Sequence, residues 1–63
     1  MIRFNYDGAV TEQLVDSHPN SIAAAAATLA GWGQGVTVQA KQTSPTTWMF
    51  TAQGEIVTAE VIP

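Results

Sequence analysis

The chain has 63 residues, no cysteine, two basic residues (Arg3 and Lys41) and five acidic ones, for a formal net charge of −3. That length holds one domain, residues 1–63, and a chain this short buries only about 60% of its unfolded surface, so its stability margin is thin. The composition excludes disulfides and cysteine-bound zinc; the cations are too few for a phosphate-binding patch and the carboxylates too dilute to imitate a phosphate ladder.

Small domains that lack disulfides and structural metals commonly gain stability by association. A homo-oligomer or another protein partner is therefore expected, with nucleic acid disfavoured and no cofactor. The longest apolar run, Ile22 to Trp32, is interrupted by Thr28 and Gly31 and is too short to span a bilayer. Asp7, Glu12 and Asp16 precede it against Arg3 alone, which does not suit a secretion signal. The expectation is a cytoplasmic protein without membrane attachment.

Ile2-Arg3-Phe4-Asn5-Tyr6 alternates apolar and polar residues, as a half-buried strand does. Asp7-Gly8 follows, a dipeptide suited to a two-residue hairpin turn because both positions need positive φ. The return arm is read as Ala9 to Val15. A short helix capped at Thr11 and started by Glu12-Gln13-Leu14 is the alternative for this stretch.

Asp16-Ser17-His18-Pro19-Asn20-Ser21 is dense in turn and capping residues. Pro19 presets φ for a helix start, and Ser17 or Asn20 is the expected cap. Ser21 to Ala30 reads as helix, with Ala23 to Ala27 of the highest intrinsic propensity and Gly31 as the left-handed stop. Its apolar stripe is Ile22, Ala26 and Leu29, extended by Trp32. Alanine on that face lets a thin helix lie close against a sheet.

After Gly35 the period changes to two. Val36, Val38 and Ala40 share one face, and Thr37, Gln39 and Lys41 the other. Thr43 to Thr46 reads as a loop, Thr47 to Ala52 as a strand, Gln53-Gly54 as a tight turn and Glu55 to Ile62 as the last strand. A two-residue loop at Gln53-Gly54 pairs Ala52 with Glu55, Phe50 with Val57, Trp48 with Ala59 and Thr46 with Val61. That register gathers Trp48, Phe50, Val57, Ala59 and Val61 on one face, which Val36 and Val38 join. The fold class is α+β: a β-β-α-β-β-β order, an antiparallel sheet with one Ala-rich helix packed on one face.

Three stretches suggest chemistry. Gly31-Trp32-Gly33-Gln34-Gly35 resembles a phosphate loop in composition, but it leaves a helix and enters a strand, where the helix dipole is negative. Asp16-Ser17-His18 holds the residue types of a hydrolytic triad, yet sequence neighbours do not supply triad geometry, and Ser17 serves better as a cap. Glu55 and Glu60 read as solvated carboxylates beside a turn and on the outer sheet face. No catalytic, cofactor-binding or metal-binding residue is assigned.

The remaining sheet face displays Thr37, Gln39, Lys41, Thr47, Met49, Thr51, Ile56, Thr58, Glu60 and Ile62. If Met49, Ile56 and Ile62 cluster, they form a patch for self-association or a partner. Trp32, framed by glycines at a helix end, is the fourth candidate contact residue. The function these residues point to is a small non-enzymatic protein–protein interaction module. The alternatives are a structural or assembly subunit of a homo-oligomer, and a small-ligand binder or enzyme with a site between subunits built on His18, Asp16 and Trp32. In size and style the chain resembles the accessory and inhibitor proteins carried by bacteriophages and mobile elements, a likeness that no motif carries.

Overall fold

A computed structural model describes all 63 residues, Met1–Pro63. The chain opens with a hairpin of β1 (Ile2–Tyr6) and β2 (Ala9–Gln13). Asp7 and Gly8 have φ of 52° and 80°, the mirror-image turn whose twist matches the flanking strands. β2 stops at Gln13 rather than at Val15 because Gln13 is paired with Ile2, and β1 has almost run out of partner residues. The hairpin prevails over the short-helix alternative at Thr11.

Helix α1 spans Pro19–Ala30, starting two residues before the expected Ser21. Its N-cap is His18, not Ser17 or Asn20: His18 Nδ1 accepts from the Asn20 N–H at 3.1 Å. Asp16 completes the start, accepting from the His18 N–H at 2.9 Å and from Ser21 Oγ at 3.0 Å. An imidazole with a free lone pair therefore does what Ser or Asn usually does. Gly31 ends the helix at φ 73°, its N–H bonded to the Thr28 carbonyl, while the Trp32 N–H bonds to the Ala27 carbonyl.

The third strand, β3, runs Gln39–Ser44, so it begins later and ends later than the period-two pattern implies. The reason is its partner. Gln39 pairs with Thr51; Val38 would stand opposite Ala52, the last residue of β4, and Thr37 and Val36 would already face the turn, where no ladder exists. Val36 and Val38 still pack against the core from the connecting loop. At the other end the expected loop shrinks to Pro45-Thr46, with a bulge between Gln42 and Ser44. β4 (Thr47–Ala52) and β5 (Glu55–Val61) follow, joined by Gln53 and Gly54 at φ of 52° and 76°. Their register pairs Ala52 with Glu55, Phe50 with Val57 and Trp48 with Ala59, as the turn and the apolar pattern require. Past the ladder, the Val61 N–H bonds to the Thr46 carbonyl.

The five strands form one antiparallel sheet in the order β2-β1-β5-β4-β3, so the two hairpins join where β1 pairs with β5. α1 crosses β1 and β5 on one face only. Between them lie Ile2 and Phe4 of β1, Val57 and Ala59 of β5, Phe50 and Ala52 of β4, and Ile22 and Ala26 of α1, all buried. Ala26 has no exposure at all, which is the close approach a small side chain permits. No helix is long and apolar enough to cross a membrane.

Candidate functional site

The sheet face away from α1 is bare. Alternation puts Phe50, Ala52, Val57 and Ala59 inward, so Thr47, Met49, Thr51, Ile56, Thr58 and Glu60 point outward. Register then orders the outer side chains in rows across the strands. One row crosses the whole sheet: Val10, Asn5, Thr58, Met49, Lys41. Beside it runs Glu12, Arg3, Glu60, Thr47, and on the other side Ile56, Thr51, Gln39.

The second row is an ion-pair ladder. Arg3 Nε and Nη2 both lie 3.1 Å from Glu12 Oε2, and Arg3 Nη1 is 3.6 Å from Glu60 Oε1. Glu60 is thus a partner of Arg3 rather than a free carboxylate. Such exposed pairs contribute little to stability, about 0–1 kcal/mol each, but they make this strip of the face polar. Past the ladder, the Ile62 N–H donates to the Met1 carbonyl at 3.0 Å and ties the end of β5 to the start of β1.

These rows decide whether the three predicted apolar contacts cluster. Met49 and Ile56 are diagonal neighbours, about 7–8 Å apart. Ile62, just past the end of β5, is four residues beyond Thr58, about 13 Å away, with Glu60 between. The expected three-residue patch is therefore two patches separated by charge. A shallow depression of about 390 Å³ lies over the middle strands, walled by Arg3, Asn5, Thr43, Thr47, Met49, Thr58 and Glu60. Its threonine hydroxyls are partly occupied, since Thr43 Oγ1 and Thr47 Oγ1 are 2.9 Å apart.

Trp32 does not sit where its glycine frame suggests. Only 7% of it is exposed, and its ring belongs to the core. The indole Nε1 donates to Glu55 Oε1 at 3.0 Å, and Tyr6 Oη donates to Glu55 Oε2 at 2.5 Å. One carboxylate on β5 thereby fastens the loop after α1 to β1. The Tyr6 hydrogen bond, then that of Trp32, holds the Glu55 carboxyl below its ordinary pKa against partial burial. The same bond, with burial and the nearby Glu55 and Asp7 charges, pushes the Tyr6 phenol up. Glu55 is therefore a structural clamp and not a solvated carboxylate. Trp32 offers no free surface in the isolated chain.

Asp16 and His18 are likewise taken up by the start of α1. The His18 backbone N–H and then the Ser21 hydroxyl lower the Asp16 pKa, with partial burial opposing. No group of three or more His, Asp or Glu converges as a donor set for a metal ion. No protein-family model matches the chain, and no curated protein or solved structure does. The register rows were available in principle from the turns at Asp7-Gly8 and Gln53-Gly54. The β1–β5 pairing that joins the two hairpins was not, because nothing local specifies it.

Proposed function

We propose that this protein is a small non-enzymatic module that binds protein through the uncovered sheet face. The observation that carries the reading is a five-stranded sheet covered by a helix on one side only, with Met49 and Ile56 adjacent on the other. Ile56 is 52% exposed in a domain with little apolar surface to spare. The depression beside Met49 gives a partner side chain a socket, and the Arg3 ladder gives it a polar rim, the arrangement that protein-binding sites share. Met49, Ile56 and, across the ladder, Ile62 are the contact residues. Trp32 acts through the core. His18 and Asp16 are engaged in a helix cap, and the module is taken to be an accessory or inhibitor protein of the phage and mobile-element kind, working in the cytoplasm.

The test compares the intact domain with a Met49→Glu/Ile56→Glu variant. Both side chains point outward, so circular dichroism and melting should be nearly unchanged. Retention of a protein on the immobilised domain should be lost in the variant. If the wild type retains nothing that the variant fails to retain, the reading is wrong. A second reading, an assembly subunit, is favoured by one separate feature: both outermost strands, β2 and β3, have an unpaired edge.

A further inference from the structure

The two sheet edges are not alike. β3 carries Lys41, has a bulge between Gln42 and Ser44, and runs straight into Pro45. A lysine, a bulge and a proline are devices that keep an edge from pairing with another chain. β2 has none of them over Ala9–Gln13. Its one charge, Glu12, is already paired with Arg3 at 3.1 Å. The two most exposed large apolar side chains of the protein flank that charge, Val10 at 59% and Leu14 at 89%.

The backbone fits the same picture. Tyr6 and Ala9 close a two-residue turn and so form a hydrogen-bonded pair. Alternation then turns the N–H and C=O groups of Thr11 and Gln13 toward β1, and those of Val10 and Glu12 toward the open edge. Leu14 continues the alternation, and Val15 packs against the core, which leaves Leu14 on the side of Val10 and Glu12.

Val10-Thr11-Glu12-Gln13-Leu14 reads the same in both directions: apolar, polar, charged, polar, apolar. A two-fold interface requires this self-complementarity, because one patch must fit its own copy. Resting on the interaction-module reading, we propose that the edge of β2 pairs with a second copy of this chain, antiparallel, across a two-fold axis at Glu12. Val10 then lies opposite the partner's Leu14, and Leu14 opposite the partner's Val10. The outward backbone groups of all three residues find partners. A register centred on Thr11 would instead set Val10 against a glutamate and Leu14 against the turn at Gly8. The two glutamates meet at the axis, an unfavourable pairing that each Arg3 tempers. The chain exposes 4026 Å² in total, and one strand edge covers less than the roughly 800 Å² per partner of a standard interface. The dimer is accordingly weak and concentration-dependent, and it leaves Met49 and Ile56 free.

The experiment has two arms. Light scattering from micromolar to millimolar concentration should show a monomer–dimer equilibrium, weakened at least tenfold by Val10→Thr/Leu14→Thr. Glu12→Gln should tighten it about two- to fivefold by removing the like charges. The chain has no native cysteine, so single cysteines report the register cleanly. Glu12→Cys, which meets itself at the axis, should oxidise to a covalent dimer well before Val10→Cys, which faces the partner's Leu14. A wild type that stays monomeric overturns the proposal. So does a dimer indifferent to Val10→Thr/Leu14→Thr, or one in which Val10→Cys links as fast as Glu12→Cys. If Met49→Glu/Ile56→Glu still abolishes partner binding in those cases, only the β2 edge has failed and the module reading stands.

Discussion

Replacing Trp32 with alanine is the sharpest test of how this fold is held together. A tryptophan buries about 150–250 Å², and Trp32 keeps only 7% of its surface exposed. At roughly 25 cal/mol per Å² the ring contributes about 3–5 kcal/mol once the alanine that replaces it is allowed for, in line with measured aromatic truncations. A domain of this length is worth in total about 3–9 kcal/mol. Trp32→Ala should therefore remove a third or more of the stability and leave a partly unfolded population at 37 °C. Urea unfolding followed by far-ultraviolet circular dichroism measures this, with Trp48 as the remaining fluorescent reporter. Trp32→Phe provides a folded comparison: it keeps most of the ring area, loses the Nε1–H bond to Glu55, and should fall between wild type and alanine. A loss below about 1 kcal/mol for Trp32→Ala, with an unchanged denaturant slope, is what an exposed side chain would give, and it would refute the core placement.

Two further predictions concern the turns and the clamp. Glu55 has a lowered pKa, so the clamp's stabilisation is full above the unfolded carboxyl's value of about 4.3 and fades as pH falls through the lower folded value. Tyr6 is raised, so at the alkaline end stabilisation is full below about 10 and fades as pH rises through the folded value. Tyr6→Phe should flatten the alkaline limb of a melting-temperature profile and move the Glu55 carboxyl titration, read by carbon NMR, back toward its ordinary range; an unmoved titration counts against the clamp. Gln53 adopts φ 52° without the local hydrogen bonding that eases asparagine into that region. Gln53→Asn should then raise stability by up to about 1 kcal/mol in chemical denaturation, and a decrease would mean that the Gln53 side chain has an unrecognised role.

Much of this fold is legible in the sequence because local signals agree with one another. Asp7-Gly8 and Gln53-Gly54 each fix a register, which puts Ile2, Phe4, Phe50, Val57 and Ala59 on one face. The alanine run and Gly31 define the helix body and its end. The failures occur where a non-local partner decides. β3 begins at Gln39, whose partner Thr51 is one residue from the end of β4, so Val36 and Thr37 have no strand to pair with, which the alternation of Val36 and Val38 cannot reveal. His18 displaces Ser17 and Asn20 as the cap because Asp16 holds its backbone from two residues away. Trp32 looked accessible between glycines, and only the fold brings Glu55 to its indole nitrogen. Val10 and Leu14 lay within an arm read simply as strand, so their exposure at a sheet edge had no signal until β2 was known to be outermost.

The position of Arg3 ties these observations together. It lies on β1, inside the sheet, yet its side chain reaches a carboxylate on each neighbouring strand, Glu12 and Glu60. One cation thus neutralises part of the acidic charge and also divides the open face. On one side stand Met49 and Ile56, on the other Met1 and Ile62 at the end of the sheet, and the depression reaches from the charged row, Arg3 and Glu60, to Met49. A continuous apolar face of this width would exceed the few hundred Å² that soluble monomers normally expose and would favour indiscriminate aggregation. Split by a charged row, each side is too small to bind by apolar burial alone. Binding then has to draw on shape at the depression or on backbone pairing at the β2 edge, both of which discriminate among partners more sharply than an apolar surface does.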